Sequence, residues 1–227
     1  MNELEKLDKR WKELVGKPRS KEQIEESRLV AKQLEIEMAK EVNDLLGELK
    51  KQGIFIKSVW DLVNTKKAYP DAIDILIKHL RKKYHDKNME GIVRALTVKE
   101  AKGKAANVLK ELYDNTSKDK SNLRWVIGNA IATVMSVDDV DWVFSTVIDK
   151  SNGSSRAQLV LALGSVKSEQ SQNILIDLLD DKDVVPQALA ALGKMKSKKA
   201  KNKILQMKES NNSLIRLEAI KALKKID

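Results

Sequence analysis

The chain has 227 residues, 43 of them basic and 33 acidic, for a formal net charge of +10 at pH 7, with no cysteine, three prolines and 4% aromatic residues. Without cysteine there is no disulfide scaffold, thiolate metal site, thiol nucleophile or redox pair, which points to a reducing cytoplasm. The opening residues carry no apolar run of signal-peptide type, and no stretch of about 18 uncharged apolar residues occurs anywhere, so the sequence predicts a soluble chain without leader or membrane span.

Residues 1–53 hold 12 basic and 12 acidic side chains. Their pattern predicts a short helix around Leu4–Val15 and a long one from about Lys21 to Lys51, opened by a capping box of Ser20 with Gln23 and closed by Gly53. Ile24, Ala31, Leu34, Met38, Val42, Leu45 and Leu49 recur at sevens, threes and fours, a single apolar stripe that needs one partner face. An N-terminal helical cap over 1–53 is expected in a monomeric chain, with a coiled-coil dimerisation arm as the alternative.

From residue 54 to 227 an internal repeat organises the sequence. Ser155–Val166 aligns residue for residue with Val184–Met195; Leu123–Ile131 and Ile215–Leu223 repeat the pattern, and a fainter copy ends at Leu96. The equivalent positions Leu96, Ile131, Leu163, Leu192 and Leu223 are 35, 32, 29 and 31 residues apart, the period of a helix pair. Apolar spacing at three and four marks a second helix in each unit: Ile73 to Leu80, Ala105 to Leu112, Val140 to Val147, Ile174 to Leu178. Gly164 and Gly193 read as C-terminal glycines of first helices, where a left-handed turn favours glycine. Thr97 with Glu100 reads as a capping box, Ser136, Ser168 and Ser197 precede second helices, and Pro186 suits a first turn. The alanines Ala162, Ala188, Ala191, Ala219 and Ala222 read as points of close helix approach. The segment from Leu214 to Ile226 is a first helix without its partner, and its lysines favour a terminal cap.

At these residues the chain resembles the HEAT-like repeats first described around phycobilisome lyases, over roughly residues 54–227. The resemblance implies an all-α fold, a right-handed α-α superhelix of about five helix pairs, whose extended concave surface suits a large partner. Arg124, Arg156 and Arg216 occupy the family's arginine position at the start of the first helix, and Asp183 its aspartate position. Val185 replaces the arginine in one unit, and Asn122, Ser154 and Leu214 replace the aspartate in others. An Asp–Arg ladder is therefore expected to be broken, with no stability assigned to it. Such repeats mostly serve binding roles.

Charge is unevenly spread. Residues 54–115 carry 13 basic and 8 acidic side chains, 116–183 carry 7 and 10, and the last 44 residues carry 11 and 3. Lys194, Lys196, Lys198, Lys199, Lys201 and Lys203 crowd one inter-helix turn and the first turn after it, against the helix dipole, which points to an anionic partner. Lys82, Lys83 and Lys87 form a second candidate site. Matching turns carry Lys66 and Lys67, then Lys99, Lys102 and Lys104, then Lys167, interrupted by Asp138 and Asp139, so one edge reads as mostly basic. A plain solvated edge is the alternative reading of the same lysines.

Function follows from these features and from what is missing. Arginine and aromatic residues are too sparse for sequence-specific nucleic-acid reading, although contact along a phosphate backbone is open. Alkylpurine DNA glycosylases, also built from HEAT-like repeats, are similar in size and charge, and Trp125, Trp142 and Asp141 compare loosely with their groove residues without a matching motif. His79 and His85 lack metal-ligand spacing, and the aspartate runs Asp138, Asp139, Asp141 and Asp180, Asp181, Asp183 read as helix caps. No cofactor or nucleotide motif is present. The expectation is a non-enzymatic cytoplasmic scaffold that binds a macromolecular partner, a protein first and a nucleic-acid backbone second, with DNA-glycosylase-like catalysis third.

Overall fold

The apolar periods of three and four build helices and nothing else. In the structure, a computed structural model that describes residues 3–15 and 20–226, no strand occurs among the described residues. Two compact units are present, residues 1–96 and 97–227.

In the first unit, α1 (Glu3–Val15) packs on α2 (Lys21–Glu41), and Arg10 bridges them by donating to Glu26 Oε1 through Nε at 2.8 Å and Nη2 at 2.5 Å. Ser20 and Gln23 form the expected capping box, each side chain accepting from the other's backbone N–H. The single long helix expected to Lys51 is instead interrupted at Val42, after which α3 (Asn43–Lys51) begins. That break redirects the apolar stripe. Leu45 and Leu49 become fully buried as α3 packs on α5, whereas Ile24, early on the same stripe, is exposed. Gly53, with φ +78°, ends α3 as the sequence suggests. Then follow α4 (Trp60–Asn64), α5 (Ile73–His79) and α6 (Asp86–Ala95). Glu41 fastens α2 to α6, accepting from the His85 backbone N–H at 2.9 Å and from Asn88 Nδ2 at 2.6 Å.

The second unit is a stack of helix pairs: α7 (Ala106–Asn115), α8 (Ser121–Val134), α9 (Val140–Ile148), α10 (Ala157–Leu163), α11 (Glu169–Asp177), α12 (Val185–Met195), α13 (Lys201–Met207) and α14 (Ser213–Ile226). First helices α8, α10, α12 and α14 pack in series, and second helices fill in beside them, α9 on α11, α11 on α12, α13 on α14. Leu163 and Leu192 are fully buried and Leu223 nearly so, as the repeat register requires. Ser136, Ser168 and Ser197 accept backbone N–H groups at the starts they were expected to cap, and Pro186 sits in the first turn of α12.

Gly164 and Gly193 serve a different purpose from the one their position suggests. Neither is left-handed; the left-handed residue after α12 is Lys196, with φ 55°. A Cβ on Gly164 would lie 2.8 Å from Ala191 Cα, and one on Gly193 would lie 2.8 Å from Ala222 Cα. Each glycine therefore lets one first helix press its backbone against an alanine of the next, and glycine facing alanine at two successive contacts sets the spacing of these helices.

The arginines hold the stack on its other side. Arg124 donates to the carbonyls of Tyr113 and Thr116 at 2.6 Å and to Asn152 Oδ1 at 2.7 Å. One repeat later Arg156, with no exposed surface, donates to the carbonyls of Gly153 at 2.9 Å and Val147 at 2.6 Å and to Asp181 Oδ2 at 2.6 Å. Each arginine thus ties the end of the preceding second helix to the loop before the next first helix. The ladder exists, but its acceptors are Asn152 and Asp181. Asp183, expected in that role, instead donates its backbone N–H to Asp181. Val185 contributes no rung, and Arg216 makes only a local bond to the Ser210 carbonyl.

Two buried aspartates give this unit an acid limit. Burial would push the Asp181 carboxyl up, yet the Arg156 hydrogen bond, the Asp183 amide and the Arg156 charge together outweigh it and hold the group below the usual aspartate value. Asp139 behaves alike: burial pushes up, while Lys110 Nζ at 2.6 Å and the Ser136 N–H win. A carboxylate whose pKa is lowered on folding contributes stability above its unfolded value, and that contribution is lost as pH falls through the folded one. Stability of residues 97–226 is therefore expected to be level from neutrality to about pH 4 and to fall below it. Denaturant midpoints between neutral and acid pH test this; D139N and D181N should each flatten the acid limb.

Candidate partner-binding surface

In the second unit, turns that join first to second helices carry part of the final lysine block singled out by the sequence and border an apolar groove that the sequence did not reveal. The groove has a volume of about 590 Å³ and runs along the end of α8, the turn into α9, α10 and the turn after it, reaching α12. Its aliphatic lining is Val137, Leu161 and Val166 together with Met135, Val140 and Ala162. Val137 is 84% exposed, the most exposed of the large aliphatic side chains among the described residues, and Leu161 is also exposed. Lys102, Lys167 and Lys194 line the groove, and no carboxylate does.

Local chemistry explains why Val137 points outward. The turn Val137–Asp139 is closed by a capping box in which Ser136 accepts the Asp138 N–H while Asp139 accepts the Ser136 N–H at 2.8 Å. Asp139 is then claimed a second time by Lys110. With polar residues fixing the turn, the intervening valine is left on the surface. Periodicity cannot flag such a residue, because it lies between helices.

The six lysines of the final block are not one patch. Lys194 Nζ donates to Ser165 Oγ at 2.6 Å, bringing it to the groove. Lys199 donates to Asn173 Oδ1 at 2.7 Å, and Lys203 to Asp180 Oδ2 at 2.7 Å and the Ile176 carbonyl at 3.1 Å. Lys203 thus reaches the C-terminal end of α11, where cations are favoured, which offsets part of the cost of lysines at the start of a seven-residue helix, whereas Lys199 lies against the middle of α11 and 3.9 Å from Glu169 at its start. Lys201 is half-buried with a partner of its own. Lys196 and Lys198 are exposed and, among the described residues, form no side-chain bond.

The second candidate site is similarly divided. Lys87 lies 4.5 Å over the Trp60 ring and 3.5 Å from Glu90, Lys82 lies 3.8 Å from Asp44, and Lys83 is exposed. Beside them His79 is fully buried, its Nδ1 2.5 Å from the Tyr84 hydroxyl. Burial, then the Lys82 charge, pushes the imidazole below its usual value, while burial and the facing Glu41, Asp44 and Glu48 push the Tyr84 phenol up to about 12. Both rings are therefore neutral core groups near pH 7.

Of the tryptophan and aspartate residues compared with a glycosylase groove, Asp141 is exposed and Trp125 half-buried. Trp142 packs edge-on against Tyr113 and donates its indole N–H to Asp114 at 3.1 Å. An open hollow of about 380 Å³ lies alongside, with Arg124, Asp149 and Asn152 in its wall. Arg124 is already committed to three acceptors there.

Comparison with known proteins agrees with the repeat. Residues 140–224 match the family model for HEAT repeats. No curated protein matches the chain in sequence. Among solved structures a designed armadillo repeat protein is similar at 15% identity, with a TM-score of 0.49, over 97% of this chain and 100% of its own. No helix among the described residues is long and apolar enough to cross a membrane.

Proposed function

We propose that this chain, whose residues 140–224 are HEAT-like repeats, is a non-enzymatic cytoplasmic scaffold that binds a protein partner through the turn edge of the stack. The observation that carries the reading is the groove itself: exposed Val137, set in a capped turn, and exposed Leu161 on α10 line it together with Lys102, Lys167 and Lys194 and no carboxylate. Repeat stacks serve such roles because neighbouring units present equivalent turns side by side. In this reading residues 1–53 are a cap and 54–227 the repeat array.

Affinity purification of the tagged full chain, followed by mass spectrometry, tests it. A protein retained after nuclease treatment is the expected result; a partner lost on nuclease treatment would move the assignment to the nucleic-acid backbone. The lysines give a second check. Charge reversal at Lys198, Lys199 and Lys201 is expected to weaken an anionic partner several-fold, and more at low salt, with the helical signal retained. Unchanged affinity would remove those three from the surface.

A further inference from the structure

We propose that the groove over Val137, Leu161 and Val166 takes a peptide segment of the partner in which one bulky aliphatic or aromatic side chain is flanked by carboxylates. The inference rests on the scaffold reading and specifies its ligand.

Two properties of the groove select that chemistry. Its apolar lining is aliphatic, without a ring for base stacking, so an apolar side chain gains by leaving water there and a nucleotide base does not gain by stacking. Its rim is uncompensated. Three lysines of this unit meet acceptors on neighbouring repeats, Lys110 at Asp139, Lys199 at Asn173 and Lys203 at Asp180, while others such as Lys196 and Lys198 do not. Lys102 and Lys167 belong with the latter, exposed and without a side-chain bond among the described residues, and Lys194 is held by the neutral Ser165. Three lysines and no carboxylate line the groove beside its aliphatic side chains, so the groove itself favours an acidic neighbour to an apolar anchor, although Asp138 follows Val137 in the turn. An anchor with acidic neighbours satisfies both demands, whereas a basic or wholly polar segment satisfies neither.

Panning a random peptide display library on the immobilised full chain tests this directly. The expected consensus is a large apolar residue with Asp or Glu on both sides. The selected peptide, labelled for fluorescence anisotropy, should bind K102E/K167E about ten-fold more weakly, and exchanging the peptide's acids for lysines should reverse the preference. V137S should weaken binding without altering its salt dependence. All three positions are exposed, so circular dichroism and melting temperature of the variants should match the parent. A consensus without acids, affinity indifferent to K102E/K167E, or an oligothymidylate that displaces the peptide and loses its own binding in V137S would overturn the assignment. Should the full chain retain a protein partner that K102E/K167E also retains, the groove assignment falls while the scaffold reading stands. Failure to select any peptide together with failure to retain any partner would remove both.

Discussion

Replacing Arg156 by alanine is expected to destabilise the repeat unit by about 3–5 kcal/mol, the usual cost of breaking a buried ion pair from one side. The side chain has no exposed surface, and its removal strands three acceptors at once: the Asp181 carboxylate and the carbonyls of Val147 and Gly153. The carboxylate dominates, because an unpaired charge in a site of low polarity costs more than an unpaired carbonyl. Asp181 is more forgiving. D181N should cost much less, since the rung one repeat earlier already runs from Arg124 to the amide oxygen of Asn152. R156M/D181N should in turn lie closer to the parent than R156M alone, because removing both charges removes the burial penalty of both. Guanidinium unfolding followed by circular dichroism gives the midpoints. An R156A midpoint indistinguishable from the parent would show that the rung contributes nothing.

That rung also marks how far the residues could be read without coordinates. The helix pairs were legible because each buries one stripe on its neighbours, and a stripe leaves a period: Leu163, Leu192 and Leu223 fall in register in the chain and in the core. Caps were legible because Ser136, Ser168 and Ser197 act on backbone within three residues. What joins one repeat to the next leaves a fainter trace. Arg156 reaches its acceptor 25 residues on, and the aspartate that looks equivalent to the family's, Asp183, stands two residues from the one that accepts. Lysines mislead in a similar way. A run such as Lys198 to Lys203 looks like one patch in sequence, but the helical turn sends Lys199 and Lys203 back to α11. The groove gathers Lys102, Lys167 and Lys194 from separate turns. Position along the chain gives a residue's charge and its local partner; the neighbouring repeat decides whether that charge is spent inside the stack or offered outside it.

Gly193→Ala should reverse the usual sign of a glycine-to-alanine change in a helix. Alanine inside a helix normally stabilises by about 0.5–1 kcal/mol, because glycine loses more backbone freedom on folding. Gly47, within α3, has no atom within 4 Å of the place a Cβ would occupy, so G47A should show that ordinary gain. At Gly193 the added methyl would sit 2.8 Å from Ala222 Cα and 3.1 Å from its Cβ, and at Gly164 it would sit 2.8 Å from Ala191 Cα and 2.9 Å from its carbonyl oxygen. Backbone atoms cannot rotate away as a side-chain tip can, so the helices must part, and overpacking of this kind costs about 1–3 kcal/mol. A222G should rescue G193A only in part: it removes the Cβ contact and leaves the closer Cα one. The same logic separates the two glycines. G164A meets a carbonyl oxygen as well as a Cα, and should be the more damaging. Melting temperatures of G47A, G164A and G193A under one set of conditions decide the matter. A rise in all three would mean that the helices are spaced by something other than glycine facing alanine; a rise in G47A with falls in the other two is the expected pattern.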